Sequence, residues 1–255
     1  MRFPSTSIYL ALAATCATAA ISLDADATVL RRVSGSERVQ RAELIAQAVV
    51  VDIQHRNSSV RGSQDAEMPH TFVTFSLEHV LKGTSKQGAN ITLRFLGGPT
   101  GKGLTLVVGG IPRFRLGDRD LLFVERNGES DCPLVGWEQS RFRIVRGQVF
   151  NDLGQEVWVS PQGDFLFGDQ LIDVRDPHYR PVVGESADGR QPQRRSPPQG
   201  SVIPNAIGMR AIVRHMRDNM AKAGNLPVPN AFKTARLDLP FHVPAPRVKR
   251  APRNN

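Results

Sequence analysis

Few residues of this chain have the types and spacing that chemistry needs. Asp118 and Asp120 flank Arg119 just before the aliphatic run Leu121-Leu122-Phe123-Val124. Two carboxylates this close could work as acid and base, but a solvated turn with a local ion pair is the plainer reading. The six histidines are His55, His70, His79, His178, His215 and His242. No two have the i, i+4 helical spacing of a zincin, and none has a cysteine partner at zinc-finger spacing, so no metal ligands are assigned. His79 follows Glu78 on an expected strand and reads as a rim residue. An enzyme built from His79, Asp118 and Asp120 would need the fold to bring them together.

The remaining motifs fail on inspection. Gly97 to Gly103 resembles a phosphate loop, but Leu96 stands where the first glycine is needed and Gly103 where Ser or Thr should follow Lys102. The expectation there is a β-turn. No G-x-S-x-G elbow occurs. Cys132 sits in the turn-like Glu129-Ser130-Asp131-Cys132-Pro133 and is expected to be partly buried and inert rather than a reactive thiol. No cofactor is called for.

The elements that would position any site are strands. Val73, Phe75 and Leu77 alternate with Thr74, Ser76 and Glu78; Ile91, Leu93 and Phe95 repeat the pattern after a turn at Val80-Leu81-Lys82-Gly83. This predicts two neighbouring antiparallel strands at the middle of a β domain. Val49, Val51 and Ile53 give an earlier strand, and Ser36 could cap a short helix carrying Val39, Ala42 and Ile45. Leu104, Leu106 and Val108 alternate in a further arm. The loop from Ile111 to Asp118 presents Phe114, expected to anchor it to the core, before the Leu121–Val124 strand. Leu134–Trp137 and Phe142–Val145 read as strands. Gln148–Phe150 and Glu156–Trp158 read as a hairpin around Asn151–Gly154. About seven short strands with glycine turns predict a mainly β fold, a small OB-like barrel or sandwich with one short N-terminal helix.

The ends differ from this middle. Arg2, the apolar run Ile8 to Leu23 and Ala25-Asp26-Ala27 predict a signal peptide over 1–27, hence export to the periplasm or beyond with no membrane span left after cleavage. Cleavage would leave Cys132 as the only thiol, so no internal disulfide holds the β domain, expected over 28–175. The net charge of +9 lies entirely in the remainder: residues 1–175 carry 19 basic and 19 acidic side chains, residues 176–255 carry 14 and 5. Residues 176–204 are rich in Pro, Arg and Gln and read as a disordered linker. A helix over 205–223 stops at Gly224, its stripe of Met209, Ile212, Met216 and Met220 packing back on the β domain or docking a partner. Residues 224–255 form a basic, Pro-rich flexible tail.

Val80-Leu81-Lys82-Gly83, Gly97-Gly98, Pro112-Arg113-Phe114-Arg115-Leu116-Gly117, Leu121 to Val124 and Val135-Gly136-Trp137-Glu138-Gln139 occur in an order that resembles a pattern of exported bacterial proteins of unassigned function. Over residues 43–150 the same order resembles the OB-like barrel of netrin and tissue-metalloproteinase-inhibitor modules. The resemblance implies a barrel. The cysteine with which those inhibitors chelate a protease metal has no counterpart near Thr28, so it implies no inhibitory mechanism.

These readings predict an exported, non-enzymatic binding protein. The binding residues expected on the β domain are Arg113, Phe114, Arg115 and Trp137. Arg194, Arg195, Arg247, Lys249 and Arg250 give the tail its charge, and with no interleaved aromatics they do not suit single-stranded nucleic acid. The expected partner is an envelope or secreted protein, or an anionic surface polymer. A secreted hydrolase and a regulator of a secreted protease are the rival readings.

Overall fold

The computed structural model describes residues 31–59, 67–100, 103–176, 178, 180 and 195–226. All the described elements belong to the unit formed by residues 32–255. The expected signal peptide, the expected basic tail beyond Leu226 and most of the expected linker lie outside the described residues, and Leu226 itself packs against the helix-side core.

Helix α1 (Gly35–Arg41) opens at Ser34, whose hydroxyl accepts from the Glu37 amide at 3.1 Å. The cap is therefore Ser34 and not Ser36, and Ile45, expected on the helix, lies in strand β1 (Leu44–Ser58). The change of period falls at Ala42, where the backbone turns extended. β1 pairs with β2 (Met68–Lys82), and β2 with β3 (Asn90–Leu96), Val73 opposite Leu93. The expected central pair is thus present. A short hairpin follows, β4 (Gly98–Pro99) on β5 (Thr105–Leu106). Then come β6 (Arg119–Val124), β7 (Arg141–Val145), β8 (Gln148–Phe150), β9 (Gln155–Val159) and β10 (Phe165–Gln170).

The long strands form one antiparallel sheet in the order β10-β9-β8-β7-β6-β1-β2-β3. The fold is mainly β, as the alternation predicts, but the sheet is not closed into a barrel. At its β3 edge the segment after β6 stands in for a missing strand. The Asn127 side chain donates to the Thr92 carbonyl at 2.9 Å and accepts from the Arg94 amide at 3.1 Å, and the Leu96 amide donates to the Asp131 carbonyl at 2.7 Å. A carboxamide reproduces a peptide's donor and acceptor, so it satisfies the edge without a ladder. Leu134 to Trp137, expected as a strand, contributes only a bridge from Leu134 to Val124 before the 3-10 turn Trp137–Ser140.

Two apolar cores lie on opposite faces of the sheet, so its central strands are buried on both sides. Ile45, Leu121 and Phe123 face the helices, with Phe142, Val157 and Phe165; Leu44, Ala46, Leu122 and Val124 face the other way, with Val73, Phe75, Leu93 and Phe95. Helix α2 (Ala206–Lys222) is capped by Asn205, whose side chain accepts from the Gly208 amide at 2.8 Å. Its apolar stripe, including Met209, Ile212, Met216 and Met220, packs against the helix-side core. Only Met209 of the four is fully buried, worth roughly 1.5–3 kcal/mol, and the partly buried Ile212, Met216 and Met220 add less each. Within the expected linker, Val202 exchanges hydrogen bonds with Val159 at 2.8 and 2.9 Å.

The V-L-K-G stretch now has a physical reading. Leu81 enters the helix-side core, and buried Lys82 donates to the carbonyls of Val39 and Gln40 at 2.7 and 3.0 Å, closing the C-terminal turn of α1. Helix and sheet are thereby tied together by one ammonium, whose pKa burial lowers.

Cys132 is buried in the second core, where burial pushes its thiol up to about 12. An alkylating reagent should label Cys132 only after denaturant is added; site-resolved mass spectrometry showing prompt labelling of the folded chain would contradict this burial. His70 is fully buried, its Nδ1 lying 2.8 Å from the Met68 carbonyl and 2.9 Å from Ser58 Oγ. Burial lowers its pKa from the usual 6.5. Its contribution to stability is therefore complete above about pH 6.5 and is lost as pH falls towards the folded-state value. Thermal melts should show His70→Gln losing less stability than the parent chain between neutral and mildly acid pH. Parallel curves would refute it.

Candidate functional site

The segment between β5 and β6 crosses the second core and is held there by Phe114. Its ring meets Phe75 edge-on at 5.4 Å between centroids and lies 4.8 Å from Phe95. On the other side the Arg141 guanidinium sits 4.0 Å from the Phe114 centroid. The loop is anchored as its sequence predicts, with a buried cation behind the anchor.

Strand pairing explains how that cation comes to be there. Asp120 pairs with Arg143 and Leu122 with Arg141, so Asp120 and both arginines point to the same side of the sheet. Arg141 Nη2 donates to Asp118 at 2.7 Å and to Asp120 at 2.9 Å, while Nη1 donates to Asp152 at 3.0 Å and to the Arg113 carbonyl at 2.5 Å. Arg143 Nη2 donates to Asp152 at 3.0 Å and to the same carbonyl at 3.2 Å. Asp118 and Asp120 thus do not form a solvated turn with Arg119. They are buried beside Arg141, and Arg119 pairs with Glu78 at 2.9 Å.

Two opposed effects act within this cluster. Desolvation pulls the Arg141 pKa down, but Asp120, Asp152 and Asp118 reverse this and hold it raised. Desolvation pushes the Asp120 carboxyl up, against the pull of Arg141 and Arg143. The first direction favours an ion pair and the second opposes it. We take Arg141 as charged, because its guanidinium is bonded to three carboxylates at 2.7–3.0 Å. Such carboxylates are occupied by guanidinium and closed to a substrate. His79, paired with Gln47, lies on the opposite side of the sheet from Asp120, since Gln47 and Ala48 alternate along β1 and Ala48 is the partner of Asp120. The fold does not bring His79, Asp118 and Asp120 together.

In front of Phe114 is an open cleft of about 640 Å³. Ile53, Phe95, Ile111 and Phe114 supply apolar wall, and the β4–β5 hairpin with Val107 and Val108 supplies the other side. Gly98 makes this possible. Its φ of +138° suits glycine, and a Cβ there would come within 3.0 Å of Thr71 Oγ1 and 3.1 Å of His55 Nδ1. Thr71 donates to the Gly97 carbonyl at 2.8 Å, so its oxygen accepts from His55 Nδ1–H at 3.1 Å. That assignment leaves His55 Nε2 as a free acceptor.

Of the expected binding residues, Phe114 and Arg113 line this cleft. Arg115 is turned away, donating to the carbonyls of Asp176, at 3.0 Å, and Arg175. Trp137 packs on the second core in a left-handed conformation, φ +63°, and does not line the cleft. Arg195 pairs with Asp169 at 3.1 Å; Arg194, Arg247, Lys249 and Arg250 lie outside the described residues. Sequence reasoning missed His55 and Thr71. Their only sequence signal is the Gly97-Gly98 pair, whose close approach falls on residues distant in the chain.

No family model, no curated protein and no solved structure matches this chain. Among the described residues, no group of three His, Cys, Asp or Glu side chains could hold a metal ion, and no helix is long and apolar enough to cross a membrane.

Replacing Arg141 by methionine strands buried carboxylates and should cost roughly 3–5 kcal/mol of unfolding free energy. Arg119→Met, at an exposed pair, should cost about 1 kcal/mol or less. Guanidinium unfolding curves that shift equally for the two variants would refute a structural role for the buried cluster.

Proposed function

We propose that this chain is an exported, non-catalytic binding protein that takes an apolar ligand in the cleft between Phe114 and the β4–β5 hairpin. The observation that carries this reading is the composition of the cleft: an aliphatic and aromatic wall with side-chain polar groups confined to His55, Thr71, Thr105 and Arg113. Its volume of about 640 Å³ falls within the roughly 300–1,000 Å³ of clefts that enclose small organic molecules. The wall is backed by packed aromatic rings and buried ion pairs, which favours a pre-formed site and a low ordering cost on binding. Export rests on the apolar run from Ile8 to Leu23 and the Ala25-Asp26-Ala27 site after it.

The neutral fluorophore phenylnaphthylamine tests the reading. It should bind the full chain saturably, one to one, with a blue shift. Leu106→Asp places a charge on the cleft wall and should weaken binding by at least about tenfold, the effect of roughly 1.4 kcal/mol, with little change in melting temperature. A folded Leu106→Asp variant that binds as well as the parent would remove the cleft from consideration.

A further inference from the structure

Among the described residues that line the cleft, Arg113 alone carries a full charge. Its polar lining residues are Thr71, Thr105, His55 and Arg113, and among the described residues no Asp or Glu lines it. Arg113 is held unusually. Its carbonyl accepts from Arg141 at 2.5 Å and from Arg143 at 3.2 Å, so its backbone is pinned to the buried cluster. Its side chain is exposed and has no ion pair among the described residues. The three nearby carboxylates of Asp118, Asp120 and Asp152 are all bonded to Arg141 or Arg143, and none of them lines the cleft.

Resting on the reading of the cleft as a ligand site, we propose that the ligand is an apolar carboxylic acid. Its chain or ring lies on Ile53, Phe95, Ile111 and Phe114, and its carboxylate takes the guanidinium of Arg113 at the rim. Charge complementarity carries the choice. A carboxylate meets a planar donor fork whose backbone is already fixed, and at the rim it keeps part of its hydration. A cationic head would meet a like charge, with no compensating acid among the described residues that line the cleft. A neutral alcohol would gain the apolar wall but only weak polar contacts.

The test displaces phenylnaphthylamine from the full chain at neutral pH with monomeric dodecanoate, dodecanol and dodecyltrimethylammonium. Dodecanoate should bind about tenfold or more tighter than dodecanol, as a charge-assisted contact implies, and the ammonium weakest. Arg113→Gln, an exposed position whose folding is checked by its melting curve, should bring dodecanoate within about twofold of dodecanol, chiefly by weakening dodecanoate. Equal binding of acid and alcohol by the parent chain, or an acid preference that survives Arg113→Gln, overturns the carboxylate proposal. Displacement by dodecanol that Leu106→Asp abolishes would leave the cleft reading standing in that case. If none of the three displaces the fluorophore, the carboxylate proposal fails; if Leu106→Asp also leaves fluorophore binding unchanged, the cleft reading fails with it.

Discussion

The structure turns on the desolvation of one guanidinium. Arg141 is fully buried, and removing such a charge from water costs several kcal/mol unless its donors are met. Asp118, Asp120 and Asp152 and the Arg113 carbonyl meet those of its two Nη atoms, drawn from β6, the loop before it and the turn between β8 and β9, while Nε is buried with no hydrogen-bond partner. Those segments must come together for Arg141 to be buried at all. The position of Phe114 follows, because its ring is packed between that cation and the Phe75–Phe95 pair. A buried ion cluster is weak evidence of added stability, but it is strong evidence of constraint: misplacing any one member leaves another charge without a partner.

The same economy of partners shapes the sheet. An antiparallel sheet of eight strands buried on both sides of its centre needs cover for two faces and relief for its edges. One face is covered by helices, tied on by Lys82 and by the stripe of α2. The other is covered by the Ile111–Phe114 loop and by the segment around Asn127, Cys132 and Leu134, which also occupies the β3 edge. The chain between β6 and β7 thus does the work that a closing strand would do in a barrel.

The cleft is a by-product of these constraints. It forms where the Gly97-Gly98 turn lets the backbone approach Thr71 and His55 while the Phe114 loop is held by its own ion cluster. Rigidity on one side and a small glycine-rich hairpin on the other suit a site that encloses a ligand with little reorganisation.

The sequence by itself determined the strands with clear alternation, the Phe114 anchor, the inert cysteine, and α2 with its Gly224 stop and inward methionine stripe. Each of these rests on interactions between residues near in the chain or on the period of burial along one element. It also brought Arg113 and Phe114 forward, because an aromatic between two arginines is visible in one dimension. Tertiary structure alone decided the rest. Whether Asp118 and Asp120 lie in water or against a guanidinium depends on β7, more than twenty residues on, pairing beside them. The β3 edge is met by a side chain, Asn127, in place of a strand, and no local pattern encodes that. His55 and Thr71 reach the cleft through strand register and through a glycine from another strand. Register and packing couple distant residues, so they leave no periodic trace in the chain.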